Sequence, residues 1–237
     1  MTPGTAPAAG TPLGEGAAEA PATGAFGYPV FLDLRGRHVV VAGGGREPAH
    51  KIPTLLGLGA RVTAWAPEHR ETAPLDGSPG LRLTGGAWDP AVLDDAIIAI
   101  VATGDRATDR AIATDARARK VLVNTVDDIP FCDWSAPAIL RRGDLTVAVG
   151  TGGIAPALAV RIRDRAARDV GPEYGRLLAI FGAVRPRIMA TGRSFGDRRR
   201  LWYGLADGPA LGLLRGGDDD AARRAVGDAI TDWEAEG

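Results

Sequence analysis

The chain has 237 residues, of which 45% are hydrophobic and 24% charged, and its formal net charge is −1; one or two ordinary globular domains fit that length. This balance argues against a chain that binds nucleic acid as a whole, and no apolar run approaches the ~18 residues that a membrane helix needs. With Cys132 as its single cysteine, and no basic-then-apolar leader before Phe26, the sequence predicts a cytoplasmic protein without an intramolecular disulfide.

Residues 1–26 are dominated by Ala, Gly, Pro and Thr. Such a stretch buries too little to offset its own ordering, so a disordered tail is predicted there. From Gly27, "YPVFLDLRGRHVVVA" reads as strand, turn and strand, followed by the glycine run Gly43, Gly44, Gly45 and a helix in "PAHKIPTLLGLG". "ARVTAWAP" is a second strand and "LRLT" a third, with a helical turn near Pro90 to Leu93. The unbroken apolar run "AIIAIVAT" suits a parallel strand buried on both faces and is expected at the centre of a sheet. A helix capped by Asp105 and the strand-plus-loop "VLVNTVDD" follow. Strands alternating with helices predict a doubly wound α/β domain over 27–135.

The pattern then changes. "SAPAILRRGDLTVAVG" reads as two strands joined by the turn "RRGD", "TGGIAPALAVRIRDRAARDV" as an amphipathic helix, and "GPEYGRLLAIFGAVRPRIMA" with two weaker helices completes a helical C-terminal part.

Three constellations carry chemistry. The glycine run between a strand and a helix offers close backbone approach and free N–H groups to a pyrophosphate. It departs from the usual fingerprint in Glu47, a negative charge, and in Pro48, which lacks an N–H; a plain strand-to-helix turn would look similar. The second is the pair Asp127 and Asp128 just beyond a predicted strand, where ligands of open α/β sheets bind. Either carboxylate could accept a proton or contact a metal, or both could serve turn chemistry. The third, Thr151 to Pro156, could bind an anion or simply cap a helix. The arginines Arg141, Arg142, Arg161, Arg163, Arg165, Arg168 and Arg198 to Arg200 would suit a polycarboxylate, or form a wet helix face. His38, His50 and His69 show no ligand spacing with one another or with Cys132, so no permanent metal site is predicted.

From about Tyr28 to Arg200 the segments "YPVFLDLRGRHVVVAGGG", "HKIPTLLGLGARVTAWAPE", "VATGDRATDRAIATDARARKVLVNTVDD" and "FCDWSAPAILRRGDLTVAVGTGGIAPALAVRIRDR" come in an order and spacing that resemble the siroheme synthase N-terminal family. These are the precorrin-2 dehydrogenases, some of which also act as sirohydrochlorin ferrochelatases. The resemblance implies a Rossmann-type doubly wound parallel sheet over 27–135, a small strand-swapped dimerisation region over 136–170 and a helical part over 171–237. A homodimer, a tetrapyrrole cleft and a stand-alone form without the methyltransferase domain of some members come with it. It also implies NAD-dependent oxidation of precorrin-2 to sirohydrochlorin, with Asp127 as the catalytic residue. Gly43, Gly44, Gly45, Arg46, Glu47 and Thr103 would form the NAD site, and Asn124, Thr151, Gly152, Gly153 and Arg161 the substrate site. Where the family has an apolar residue, alanine and arginine, this chain has Glu47, Pro48 and His50, which implies weaker NAD binding. The alternatives are a ferrochelatase with little redox activity and a non-enzymatic tetrapyrrole- or nucleotide-binding protein on the same scaffold.

Overall fold

The structure is a computed structural model and describes residues 26–236; the predicted tail thus lies, apart from Phe26, outside the described residues. The described residues divide into two compact units, one of 26–136 with Gly152–Ile154, the other of Pro137–Thr151 with 155–236.

The first unit holds a five-stranded parallel sheet built from β1 (His38–Ala42), β2 (Arg61–Trp65), β3 (Leu81–Thr84), β4 (Ala96–Val101) and β5 (Leu122–Thr125). Their order is β3-β2-β1-β4-β5. Helix α1 (Arg46–Gly57) links β1 to β2, and α2 (Arg106–Ala118) links β4 to β5. The period of two explains both faces. Val40 and Ala42 of β1 join Ala99, Val101 and Val123 in a core covered by Ile112, Ala113 and Ala116 of α2. Val39 and Val41 join Val62, Ala64, Ile98 and Ile100 against Ile52 and Leu55 of α1. Val39, Val40 and Val41 are fully buried, each such side chain contributing about 1.5–3 kcal/mol. The α/β class read from the sequence is therefore observed. Its middle strand, however, is β1, while the apolar β4 is the next interior strand.

A strand in "YPVF" is not formed. Both edges of β1 are taken by β2 and β4, so a segment joined to its start by a short turn finds no free edge beside it. Tyr28, Val30 and Phe31 are exposed, and Leu34 alone of this stretch packs into the core.

In the second unit, β6 (Ala138–Arg142) and β7 (Leu145–Val149) form an antiparallel hairpin, with Gly143 at φ 58 in its turn. Five helices follow: α3 (Pro156–Asp169), α4 (Pro172–Ala190), α5 (Phe195–Asp207), α6 (Ala210–Arg215) and α7 (Asp219–Ala235). Three helices succeed α4 where two were expected, because Gly208-Pro209 ends α5 and Gly216-Gly217, the latter at φ 84, separates α6 from α7. Leu177, Ile180, Ile188, Leu205, Leu214 and Ile230 centre the core shared by α4, α5, α6 and α7. No helix among the described residues is long and apolar enough to cross a membrane.

Candidate active site

The connection reverses direction between β1 and β4, and open parallel sheets take ligands at the carboxyl ends beside such a point. The carboxyl ends of β1, β4 and β5 carry, in turn, the glycine run, Thr103 and Asp127. All of the predicted cofactor residues, together with Asn124 and Asp127, therefore share one edge of one sheet.

The three glycines differ in duty. Gly43 has φ 133, and a Cβ there would lie 2.1 Å from the carbonyl oxygen of Ala102; at Gly44 it would lie 1.9 Å from the carbonyl oxygen of Glu68. These two let backbones pass. Gly45, the N-cap of α1, has no atom within 4 Å of a Cβ position and no side chain capping the helix. Space and unclaimed amides at a helix start are what a pyrophosphate requires, so the residues present fit a dinucleotide. Arg46 and Glu47 are exposed at the start of α1, whereas Pro48 is buried beside Gly43. Lys51 Nζ stands 3.8 Å from the Glu47 carboxylate, so the adverse charge is partly countered. Pro48 points inward, and its effect is confined to the missing donor.

Thr103 is tied within the β4–α2 turn: its N–H and hydroxyl donate to Asp109 at 2.9 and 2.6 Å. Asp109 is buried. Sequence reasoning missed this carboxylate because it sits inside a helix and resembles any polar helix residue. It also missed Glu68, at the carboxyl end of β2, whose signal was present as an acidic residue some twenty positions beyond the fingerprint. The N–H of Glu71 donates to the Gly44 carbonyl at 2.8 Å, so this segment lies against the glycine run.

The Asp-Asp pair divides sharply. Asp127 is exposed, adopts φ 61, and its carboxylate has no hydrogen-bonding or ionic partner among the described residues. Asp128 is buried, and accepts from Arg110 Nε at 2.7 Å with Arg106 at 3.6 Å. The Arg110 guanidinium holds the Asp128 carboxyl below its ordinary value, and Asp128 in turn raises that of Arg110. Burial pushes the Cys132 thiol up; it accepts from the Thr125 N–H at 3.2 Å and donates to the Thr125 carbonyl at 3.0 Å. Asn124 donates its amide to the Trp134 carbonyl at 3.0 Å. This loop is stitched together around one free carboxylate.

Of the expected substrate residues, Gly152 and Gly153 group with the first unit and take φ 61 and 82. A Cβ on Gly153 would lie 3.3 Å from Phe26 and from Ile129, which follows the aspartate pair. Thr151 and Arg161 belong to the second unit. The Thr151 hydroxyl accepts from the Ala155 N–H at 3.3 Å, just before α3, and Arg161 is exposed with no ionic partner among the described residues. Other arginines are engaged: Arg142 donates to the carbonyls of Val170 and Ala167 at the end of α3, and Arg200 pairs with Asp197. His38 and His69 spend both ring nitrogens on hydrogen bonds. Among the described residues no group of His, Cys, Asp and Glu side chains is gathered to hold a metal.

Residues 30–138 match a family model of an NAD(P)-binding domain, and residues 173–230 match the sirohaem synthase dimerisation region. The chain is 38% identical over 197 residues to a siroheme synthase of Chromobacterium violaceum, covering 83% of this chain and 42% of that one. It is 37% identical over 199 residues to siroheme synthase 1 of Cronobacter sakazakii, covering 84% and 42%. It thus spans less than half the length of these relatives. A solved structure of SirC, a precorrin-2 dehydrogenase, superposes with a TM-score of 0.66 at 25% identity, over 85% of this chain and 99% of that one. The first unit is accordingly a domain of the kind that binds a nicotinamide cofactor, and the chain belongs to the siroheme synthase N-terminal family.

Proposed function

We propose that this chain oxidises precorrin-2 to sirohydrochlorin with NAD as the hydride acceptor, using Asp127 as the proton acceptor. The observation that carries this reading is the open glycine turn after β1 and the exposed, unpartnered carboxylate after β5 on one edge of the sheet. Similarity to SirC over nearly the whole of that chain supports the same substrate. A nicotinamide ring bound at this edge supplies a two-electron acceptor. The chain's own part is to seat the pyrophosphate on Gly45 and the first amides of α1, and to take at an Asp127 carboxylate oxygen the proton that leaves with the hydride. A fixed anion there also favours positive charge developing on the macrocycle.

NAD is preferred over NADP because Glu68 stands at the carboxyl end of β2, where an acidic side chain accepts from a ribose 2′-hydroxyl and repels a 2′-phosphate. The neighbouring Arg70 already pairs with Glu68 at 2.7 Å. A tetrapyrrole with many carboxylates suits Arg161, Arg165 and Arg168, which have no ionic partner among the described residues. Leu158, Val160 and Ile162 on α3 are exposed, which with the matched dimerisation region supports a homodimer.

Anaerobic incubation of precorrin-2 with NAD, with NADP and without either, followed by absorption spectroscopy, tests the reading. Sirohydrochlorin forming fastest with NAD and not without a nucleotide is expected. No turnover with either nucleotide, together with metal insertion into added sirohydrochlorin, would replace this function by the chelatase one. Affinity for sirohydrochlorin should fall as salt rises, because arginine–carboxylate attraction at an exposed surface is screened over about 10 Å at 0.1 M ionic strength; a flat titration from low to high salt would remove the arginines from the site. Glu47→Val should tighten NAD about two- to fivefold in calorimetric titration, an effect limited by the Lys51 counter-charge. Pro48→Ala should add nothing comparable, since that ring is packed inward; a larger gain from Pro48→Ala would show that the missing amide, not the charge, limits binding.

A further inference from the structure

We propose that the ion pair between buried Asp128 and half-exposed Arg110 is a positioning device that holds Asp127 in its left-handed conformation and aims its carboxylate out of the loop. This rests on the reading of Asp127 as the proton acceptor. A non-glycine residue at φ 61 persists only where its surroundings over-determine it. Here they do so from both sides. Before Asp127, the Thr125 carbonyl accepts from the Asp128 N–H at 3.2 Å, closing the turn. After it, the Asp128 carbonyl accepts from Phe131 N–H at 2.9 Å, and the Asp128 carboxylate is gripped by Arg110 at 2.7 Å.

The grip reaches Asp127 itself. Arg106, one helical turn before Arg110 on α2, lies 3.6 Å from the Asp128 carboxylate and donates to the Asp127 carbonyl at 3.4 Å. The Arg110 guanidinium also stacks on the Phe131 ring, 4.9 Å from its centroid. Two arginines from one rigid helix therefore fix the peptide unit that follows Asp127. An apolar pair would fill the same space, and an ion pair with one half-exposed partner adds little net stability over such a replacement. What an apolar pair lacks is direction: a carboxylate with a guanidinium allows one arrangement of the turn. The two adjacent aspartates then have complementary duties, Asp128 as positioning residue and Asp127 as catalytic residue.

The test compares wild type with Asp128→Asn, Arg110→Lys and the apolar double variant Asp128→Leu with Arg110→Met, which preserves packing if a single change prevents folding. Anaerobic precorrin-2 turnover, NAD affinity and Tm are measured for each. Expected is a fall in kcat of about tenfold or more in Asp128→Asn and in the double variant, with KM and NAD affinity within about twofold of wild type and partial recovery in Arg110→Lys. A second readout avoids activity. Asp127→Gly relieves a left-handed residue and should raise Tm by about 2 °C with the pair intact, and by nothing in the double-variant background, where residue 127 is released. Normal kcat in a folded double variant, or an equal Tm gain in both backgrounds, would overturn the proposal. Asp127→Asn run alongside separates the two ideas: normal turnover there removes the catalytic reading and the positioning role with it, whereas loss there with normal turnover in the double variant removes the positioning role alone.

Discussion

Asp127→Asn is expected to lower precorrin-2 turnover by about 10²-fold or more, the range for losing a general base, while NAD affinity and Tm stay close to wild type. The stability half of this expectation comes from backbone geometry. Asparagine tolerates the left-handed region at least as well as aspartate, so φ 61 at this position is not an obstacle. Nor does the change break an internal bond, because the Asp127 carboxylate has no partner among the described residues. The activity half comes from charge: the amide is of the same size but cannot take the proton that leaves with the hydride. The same substitution at Asp128 should behave differently in one respect. It takes the charge from the buried member of the pair with half-exposed Arg110 and weakens a charge-assisted hydrogen bond of 2.7 Å, so Asp128→Asn should melt earlier than Asp127→Asn. Measurements of kcat and Tm on the two variants suffice. Near-normal turnover in Asp127→Asn would end its assignment as proton acceptor.

Why spacing alone left these two aspartates undivided, so that only the family resemblance singled out Asp127, is a matter of distance along the chain. The partner that distinguishes them, Arg110, lies 18 residues earlier on α2, and no local pattern announces which of two adjacent carboxylates will turn toward a preceding helix. Features made by neighbours were legible. Asp105 caps α2 by accepting from the Thr108 N–H at 2.8 Å, Gly143 turns the β6–β7 hairpin, and the apolar run Ala96–Val101 is an interior parallel strand. The same limit explains "YPVF". Its composition suits a strand, but strands need an edge, and the edges of β1 were claimed by segments much later in the chain. Pro48 withholds a backbone donor, as its identity alone implies, but that the helix turns its ring inward against Gly43 depends on tertiary packing. Glu68 was within reach of sequence reasoning, since the spacing from the glycine turn to the end of β2 is a property of the βαβ unit itself.

Gly43→Ala and Gly45→Ala, two residues apart and identical in chemistry, should fail in opposite ways. At Gly43 the added methyl would lie 2.1 Å from the Ala102 carbonyl oxygen and 2.9 Å from the Pro48 ring, on a backbone whose φ of 133 is foreign to alanine. Neither obstacle is a flexible side-chain end: one is the backbone just after β4 and the other a buried ring. The strand-to-helix turn must therefore shift, at about 3 kcal/mol or more for combined strain and overpacking, which corresponds to a Tm lower by about 10 °C in a chain of this size. NAD binding should go with it, because the turn is displaced. At Gly45 the backbone is extended, φ −91 with ψ −163, and no atom lies within 4 Å of the new methyl. The protein should fold with Tm lowered by at most a few degrees, the effect of a poorer N-cap. The methyl would nevertheless occupy the open space at the start of α1 that a pyrophosphate needs, and NAD affinity should drop about tenfold or more, as expected when one side-chain atom blocks close backbone approach. Thermal melts and calorimetric titrations of both variants make the distinction. A Gly45→Ala protein that melts like wild type and binds NAD equally well would place the dinucleotide elsewhere than on this turn.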